Sequence, residues 1–420
     1  MMNSKPYKRS RLLYHAEAAL EYLVALTVSG SFLAYLTASL GISDSLTGII
    51  SSIISLGCLF QLCSLFVRRK RFKTFVIWAS MLNQLSFMML YVLPMGRRLP
   101  SSVKTAAFVL MIVVAYFIYN LAHPKKIGWF MSLVPEAERG RFTAIKEIIS
   151  LITGIVYTFV MGKVVDYFDA QGNPRGVFIT GAVTIFVLMV MHTLTMIFSI
   201  EPVDKDHPTP RLREGIRNVL GNPQMRRVVT VFILYNIAAY SLTPFLGSYQ
   251  IKELGLSQAT IALIAGVGSL VRVFVSVPMG NLADKVGFAK VFRLCLVIQA
   301  VGVAAVTVSG AETGLFCMLA YYVFGNIGMS GISSGTMNLV FDYVPKESRA
   351  DALAITQAIG GTVGFVTTLC VSPLITLIQN NGNEFLGLPV YAQQVVAVLA
   401  VTFEITTMLY LHLALIRKKK

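Results

Sequence analysis

Long apolar segments recur along almost the whole chain and constrain its fold more than any other feature. A helix that crosses a lipid bilayer needs about 20 mainly apolar residues, and twelve segments reach that length. Since 55% of the residues are hydrophobic and only 13% are charged, a water-soluble fold could not bury this apolar surface. A soluble enzyme and a disordered chain are therefore excluded. The predicted spans lie near 16–40, 43–67, 74–94, 103–133, 142–168, 177–200, 227–248, 257–282, 288–309, 313–343, 349–378 and 391–415.

One polar connector divides the spans into two sets of six. Residues 201–226 carry three prolines within their first ten positions, together with a run of charged side chains. Proline and charge clusters of this kind are typical of loops. We therefore predict an N-terminal six-helix bundle over 1–200, a cytosolic linker over 201–226 and a C-terminal six-helix bundle over 227–420.

The distribution of positive charge predicts the orientation of the chain. There are 36 Lys and Arg against 20 Asp and Glu, a net charge of +16. If the N-terminus is cytosolic and the spans alternate, 29 of the 36 basic residues lie in cytosolic segments, five of them in 124–146, and six lie outside. Cytosolic loops of membrane proteins carry this excess of Lys and Arg. We expect a multi-pass protein of the cytoplasmic membrane with both termini in the cytosol, and no nucleic-acid partner.

The second half of the chain repeats part of the first at an offset of 210 residues. A Val-Pro pair and an arginine within 134–139 recur within 344–349, and seven positions are identical between 134–154 and its counterpart 344–364. Both segments follow the fourth span of their half. The offset predicts two halves related by a parallel internal repeat, a plan found in alternating-access transporters.

Residues 280–287, between spans eight and nine, read Gly-Asn-Leu-Ala-Asp-Lys-Val-Gly. This run resembles the cytosolic loop motif Gly-x-Leu-Ala-Asp-Arg/Lys-x-Gly-Arg of the Major Facilitator Superfamily, although Phe288 stands where a basic residue is usual. The run Pro-Glu-x-x-Arg-Gly-Arg at 135–141 is similar to the family's loop after span four. The loop at 65–73 keeps basic residues but lacks the Asp and Gly of the family's stronger copy of the motif.

The resemblance implies an all-α membrane protein in which twelve transmembrane helices form two six-helix bundles. It also implies that spans one, four, seven and ten line a central cavity. The resemblance implies a transporter. Since the sequence contains no phosphate loop, metal-ligand spacing or nucleophile motif, we expect no enzyme activity, no cofactor and no bound metal.

The motif at 280–287 is a candidate gate. We expect Gly280 and Gly287 to permit close helix approach and a tight turn. Asp284 should lie near the start of span eleven at Arg349, where a carboxylate gains from the helix dipole. A contact that forms only in one state would bias the alternating equilibrium, whereas a static loop salt bridge is the alternative. The candidate gating residues are Gly280, Asp284, Lys285, Gly287, Arg139 and Arg349.

Arg272 falls near the middle of span eight, where a charge costs about 2.5–3.5 kcal/mol on insertion scales. Small residues such as Gly268, Ser269 and Ser276 share its helical face, so this face should contact protein or water and not lipid. We expect Arg272 to bind an anionic group of the substrate or to pair with a proton-accepting carboxylate. A buried structural ion pair is the alternative.

Several carboxylates lie within the predicted spans and make proton coupling a prediction. Glu17 and Glu21 share a face of span one, and Glu21 is the deeper and the better candidate proton site; Glu17 is expected near the headgroups. Glu147, near the start of span five, is a candidate partner of Arg272. Glu404 in span twelve is expected to have a supporting role.

Uncharged polar side chains occur at helical spacing on spans four, seven, ten and eleven. Amide and aromatic groups in a cavity suit a hydroxylated or mixed polar–aromatic ligand, and interhelical hydrogen bonds are the alternative. His123 and His192 are isolated in the sequence and are expected to be packed side chains. The candidate cavity residues are Tyr116, Asn120, Asn236, Tyr240, Asn326 and Gln357.

These features predict a secondary active transporter that moves a small organic solute by alternating access and works as a monomer in the lipid bilayer. Coupling to H⁺ is the prediction, and a sodium-coupled transporter or a uniporter is the alternative. An organic anion would suit Arg272. A drug or sugar efflux uniporter or antiporter would suit the aromatic and amide groups. A membrane sensor that keeps the fold without transport is the alternative from another class.

Overall fold

The computed structural model describes residues 5–63, 72–96, 98–135, 139–201, 212–344 and 349–417. The protein is mostly helical, at 87%. Short 3₁₀ or π turns extend or interrupt several helices, and Glu384–Phe385 pairs antiparallel with Leu388–Pro389 in one small hairpin. The helices are α1 (Lys5–Thr27), α2 (Gly30–Ser39), α3 (Asp44–Ser52), α4 (Gly57–Cys63), α5 (Lys73–Val92), α6 (Ser101–Met131), α7 (Arg139–Ala170), α8 (Pro174–Phe198), α9 (Leu212–Gly221), α10 (Pro223–Leu242), α11 (Leu246–Ser248), α12 (Gln258–Val286), α13 (Phe288–Thr307), α14 (Gly314–Phe341), α15 (Arg349–Asn380) and α16 (Ala392–Leu411).

The all-α membrane architecture predicted from the sequence is confirmed. Eleven helical segments of the described chain are long and apolar enough to cross a membrane, and a bent pair brings the total to twelve. That pair is the first predicted span, and the prediction of one continuous helix there is wrong. The chain bends by 41° between Tyr7–Thr27 and Gly30–Ser39. The helix breaks because Ser29 is extended and Gly30 adopts a φ of +55°, a conformation that glycine tolerates best.

The internal repeat is visible in the bounds of the helices. α7 and α15 each contain 32 residues, and they begin and end 210 residues apart, at Arg139–Ala170 and Arg349–Asn380. The preceding helices α6 and α14 also end 210 residues apart, at Met131 and Phe341. The repeated sequence segment therefore marks the same helix boundary in both halves.

The chain forms two compact units. The first comprises Met1–Ser43, Phe60–Thr209 and Ser257–Ala262, and α1 packs there against α7 and α8. Stacked aromatic rings fill part of its core, with the centroid of Tyr14 lying 4.3 Å from that of Phe130. This core brings the polar side chains of α1 and α6 together.

The second unit comprises Asp44–Leu59, Pro210–Leu256 and Leu263–Lys420. There α10 packs against α15 and α16, and α13 packs against α14 and α16. Phe292 and Cys295 are fully buried in one of its apolar cores. The predicted boundary at 201–226 stays a prediction, and residues 202–211 of that linker lie outside the described part of the chain.

Candidate functional site

Two glutamates on α1 share one lysine on α6. Lys126 Nζ lies 2.8 Å from Glu17 Oε1 and also contacts Glu21 Oε1. Glu17 is 1% exposed and Lys126 is 3% exposed, whereas Glu21 keeps 18% of its side chain exposed. Residues four apart on a helix lie on one face, which lets one ammonium group contact both carboxylates.

A histidine from α8 completes this group. His192 Nε2 lies 2.9 Å from Glu17 Oε1, and Gln84 Nε2 of α5 donates to His192 Nδ1 at 3.1 Å. Because an amide nitrogen only donates, Nδ1 accepts, and the neutral ring carries its proton on Nε2, which donates to Glu17. We call Glu17, Glu21, Lys126 and His192 the charge cluster.

Local features of α6 direct Lys126 inward. Phe130 lies one turn after Lys126 and stacks on Tyr14 of α1, so this face of α6 points at α1. Lys125 is one position earlier, and its Nζ lies 5.0 Å from the centroid of the Phe72 ring. Adjacent helical residues point in different directions, which explains why only one of the two lysines joins the charge cluster.

The side of the charge cluster at Glu21 borders a small cavity. Its lining includes Tyr119, His123 and Lys126, and its volume is about 10 Å³. This volume is at the lower limit for a single water molecule, roughly 10–15 Å³. The cavity therefore has room for at most one water molecule and not for an organic solute.

The structure bears on three sequence interpretations at this site. Lys126 was counted with the cytosolic segment 124–146, but α6 continues to Met131 and buries it. Glu17 was expected near the headgroups; it is more buried in the protein than Glu21, and its depth in the membrane stays a prediction. His192 was expected to be a packed side chain and is fully buried, but it is also hydrogen-bonded on both ring nitrogens. The predicted span 103–133 already ran past Lys126, although the charge count assigned 124–146 to the cytosol.

The predicted cavity asparagines bond to their own helices. Asn120, Asn236 and Asn326 each donate Nδ2–H to the carbonyl four residues earlier, at 2.8 Å in every case. The amide of Asn120 also accepts a bond from Gln61 Nε2 at 3.2 Å. These three bonds therefore lie within a helix and do not link two helices. Each asparagine keeps its second amide proton and a lone pair of its amide oxygen for contacts with other groups.

The aromatic and amide members of the predicted set differ in exposure. Tyr116 is buried, with its ring centroid 5.5 Å from that of Phe87. Tyr240 is partly buried, and Gly364 of α15 lies against its ring. Gln357 is exposed. The structure thus places these side chains in different surroundings, and their shared role in substrate binding stays a prediction.

Arg272 is partly buried in α12, and its Nη2 donates to Ser333 Oγ at 3.3 Å. Glu147 is exposed, and its predicted pairing with Arg272 stays a prediction because the two residues belong to different units. Glu404 is 2% exposed, and its Oε2 has no hydrogen-bond partner among the described residues. Buried carboxyl groups therefore occur in both units.

The candidate gating motif is mostly helical. α12 continues to Val286, so Asp284 and Lys285 lie on the last turn of that helix and are exposed. Gly287 ends it with a φ of +94°, which confirms the predicted tight turn. A Cβ on Gly280 would meet nothing within 4 Å, so the described residues do not give the close approach expected there. The side chains of Arg139 and Arg349 lie outside the described part of the structure.

The sequence matches the family model of the Major Facilitator Superfamily over residues 18–376. The chain belongs to the Major Facilitator Superfamily. This match confirms the resemblance carried by the loop motif, and it makes the protein a membrane transporter of this superfamily type.

Two curated relatives resemble part of this superfamily member. An uncharacterized transporter of Buchnera aphidicola subsp. Schizaphis graminum (strain Sg) is 26% identical over 145 residues, 34% of this chain and 36% of the relative. The inner membrane transport protein YajR of Escherichia coli (strain K12) is 25% identical over 147 residues, 35% of this chain and 31% of YajR. The matched region spans about a third of the length of each relative.

Solved transporters share the fold over nearly the whole chain. The nucleoside transporter NupG gives a TM-score of 0.75 at 12% identity, covering 98% of this chain and 99% of NupG. A bacterial metal transporter gives a TM-score of 0.63 at 16% identity, covering 96% of this chain and 98% of the other. At these identities the likeness establishes the superfamily fold alone.

Part of the charge cluster also has the composition of a metal site. One ligand atom each from Glu17, Glu21 and His192 lies within 4.8 Å of the others. However, the ammonium group of Lys126 already contacts both carboxylates. A metal ion would have to displace this internal cation, so the arrangement fits a carboxylate–ammonium cluster better than a resident metal.

Proposed function

We propose that this protein is a proton-coupled secondary transporter of a small organic solute and that the charge cluster carries the coupled proton. The single observation that supports this proposal is that one buried and one partly buried carboxylate share one ammonium group. With Glu17 and Glu21 ionised, Lys126 protonated and His192 neutral, the cluster has a net charge of −1. One further proton makes it neutral, which lowers the cost of keeping it inside the bundle.

Two buried oxygens favour the uptake of that proton. Glu17 Oε2 and Gln84 Oε1 have no hydrogen-bond partner among the described residues. A proton on Glu17 would leave Lys126 paired with Glu21. A proton on His192 Nδ1 would instead be accepted by Gln84 after its amide group rotates, since the oxygen would then face the ring. Both routes keep every charge of the cluster compensated.

Glu21 is the entry point in this proposal. It is the most exposed carboxylate of the charge cluster and borders the small cavity near Tyr119 and His123. A proton that reaches Glu21 weakens its pairing with Lys126, which then contacts Glu17 alone. This exchange couples protonation to the position of a side chain shared by α1 and α6.

The solute is a small organic molecule bound within the membrane, and the protein acts as a monomer by alternating access with both termini in the cytosol. Structural neighbours include proteins named as nucleoside, peptide and metal transporters. These names define the first compounds to test, together with the organic anions that Arg272 would suit. Residues of the predicted cavity set remain the proposed contacts for the solute.

The test uses the full chain in proteoliposomes under an imposed pH gradient. Nucleosides, short peptides and organic anions are added in turn, and both solute uptake and the associated current are recorded. The wild type should accumulate its solute only when the gradient is present. Glu21→Gln should lose this accumulation but keep exchange of internal for external solute, because exchange requires no net proton movement.

Glu312→Gln is the matched control, because Glu312 is an exposed carboxylate just before α14. It should accumulate solute like the wild type. Accumulation by Glu21→Gln at the wild-type level would overturn the role of the charge cluster. Uptake by the wild type that is independent of the gradient would overturn proton coupling.

A further inference from the structure

A groove of about 470 Å³ lies beside the last turns of α7 and the start of α8. Its volume is within the range of small-ligand pockets, roughly 300–1,000 Å³, but its lining is almost wholly apolar. Within α7, the lining positions recur at helical spacing and so form one face of that helix. The lining includes Phe159, Val160, Lys163, Val164 and Tyr167 from α7 and Thr180 from α8.

The face of α7 that forms the groove is open. Within Ile145–Ala170, only 22% of the most apolar 18-residue stretch is buried inside the protein. This is the lowest share among the membrane-length helices of the described chain. Val160 and Tyr167 are 52% and 60% exposed. An apolar face of a membrane-spanning helix that is not covered by protein contacts the lipid chains of the bilayer.

Lys163 introduces a positive charge into this apolar surface. It lies seven residues before the end of α7 at Ala170, which is about 10 Å along the helix axis. Its Nζ lies 5.8 Å from the centroid of the Phe159 ring. None of the ion pairs formed within the described parts of the chain includes Lys163. In the structure this ammonium group lies over the Phe159 ring, one turn further from the helix end, and the long side chain is able to extend toward Ala170 to meet a lipid headgroup.

We propose that this groove binds an anionic phospholipid from the surrounding bilayer. The headgroup phosphate pairs with Lys163, and one acyl chain lies along Phe159, Val160 and Val164. The hydroxyl groups of Tyr167 and Thr180 are the other polar groups of the lining. A lipid matches both halves of the site, because it supplies an apolar chain and a negative charge in one molecule.

The proposal is independent of the proposed proton coupling, because it uses no residue of the charge cluster. The proposal requires that Lys163 distinguish a lipid with a net negative charge from one without. Phosphatidylglycerol and phosphatidylcholine with identical acyl chains separate this requirement from general lipid contact, since only the first carries a net negative charge. A lysine near the membrane surface contributes about fivefold to the binding of anionic lipid.

The experiment titrates the full chain, purified in detergent, with each lipid and counts bound lipids by native mass spectrometry. Phosphatidylglycerol should bind the wild type about fivefold more tightly than phosphatidylcholine. Lys163→Gln should remove this preference. Arg175→Gln is the matched control, because Arg175 is an exposed cation at the start of α8 outside the lining, and it should keep the preference.

A second variant, Val164→Trp, fills the groove and should weaken binding of both lipids. Circular dichroism and gel filtration establish whether the variants fold. If Val164→Trp does not fold, Lys163→Gln alone decides.

Equal binding of the two lipids, or a preference that survives Lys163→Gln, would overturn the proposal. Glycerol phosphate that displaces the lipid at equal concentration would indicate a soluble anion, and a dimer that Val164→Trp dissociates would indicate a second copy of the chain. Either result would also overturn it.

Discussion

Lys252 Nζ lies 2.5 Å from Asp44 Oδ1, at the residue where α3 begins. Gln379 Nε2 of α15 donates to the other oxygen of the same carboxylate at 2.9 Å. Asp44 is 5% exposed, and a carboxylate so buried is stable only when cations or hydrogen bonds compensate its charge. These contacts attach α3 to α15 and to the π turn that contains Lys252.

Replacing Asp44 by asparagine tests this attachment. Asp44→Asn should lower the free energy of unfolding by about 1.5–3 kcal/mol, the contribution of a hydrogen bond to a charged group. Thermal denaturation of the detergent-purified chain measures the change. Glu384→Gln, at an exposed carboxylate of the hairpin, should change it by less than about 0.5 kcal/mol. Equal midpoints for the two variants would contradict the expected role of Asp44.

Removing the lysine of the charge cluster should be more costly. Lys126→Met leaves Glu17 and Glu21 without their cation and should destabilise the fold by about 3–5 kcal/mol, as expected when one partner of a buried ion pair is lost. Adding Glu17→Gln should recover part of the loss, because one uncompensated charge disappears. A double variant whose destabilisation equals the sum of the single effects would show that Lys126 and Glu17 do not interact.

Two helical glycines provide a matched pair for testing close packing. A Cβ on Gly361 of α15 would collide with the carbonyl oxygen of Ser55, whereas a Cβ on Gly325 of α14 would meet nothing within 4 Å. Gly361→Ala should therefore cost about 1–3 kcal/mol through overpacking. Gly325→Ala should stabilise its helix by up to about 1 kcal/mol. Chemical or thermal denaturation of both variants would show the opposite signs, and a stabilising Gly361→Ala would rule out the contact.

Asp166 caps the start of α12. Its two carboxylate oxygens accept the backbone N–H groups of Gln258 and Ala259 at 2.9 and 3.0 Å. Asp166→Ala should cost about 0.5–2 kcal/mol, the usual contribution of an N-cap. Asp166→Asn should cost less, because the amide oxygen still accepts one of the two bonds. If both variants denature at the wild-type temperature, the cap does not contribute to stability.

Arg272 donates one hydrogen bond, to Ser333, among the described residues. The guanidinium group has five N–H donors, so others remain for a ligand. If it contacts an anionic solute, anions should raise the thermal midpoint of the wild type by mass action and leave Arg272→Gln unchanged. Lys290→Gln, at an exposed cation of α13, should respond like the wild type. Stabilisation of Arg272→Gln by the same anions would assign the arginine a structural role.

Local features of the sequence were sufficient to predict most of the fold. The number of spans follows from the length of each apolar segment, which does not depend on the other segments. The offset of 210 residues marks helix starts at both Arg139 and Arg349. The break before Gly30 was missed, because the apolar pattern continues through it and only the backbone conformation of that glycine reveals the bend.

The charge cluster could be predicted only in part. Spacing placed Glu17 and Glu21 on one face of their helix and identified Glu21 as a titratable candidate. The partners Lys126 and His192 lie 105 and 175 residues away in sequence. Whether such residues meet depends on where each helix ends and how it is rotated, and single-residue patterns do not carry that information.

The sequence by itself determined that this chain spans a membrane, that its halves are repeats and that it resembles the Major Facilitator Superfamily, because apolar length and short motifs are local properties. The tertiary structure decided which polar groups meet. It buried Lys126 between two carboxylates, joined His192 to Glu17 and left Lys163 in an apolar groove. These pairings arise from the packing of helix faces, where the direction of each side chain is fixed by its neighbours.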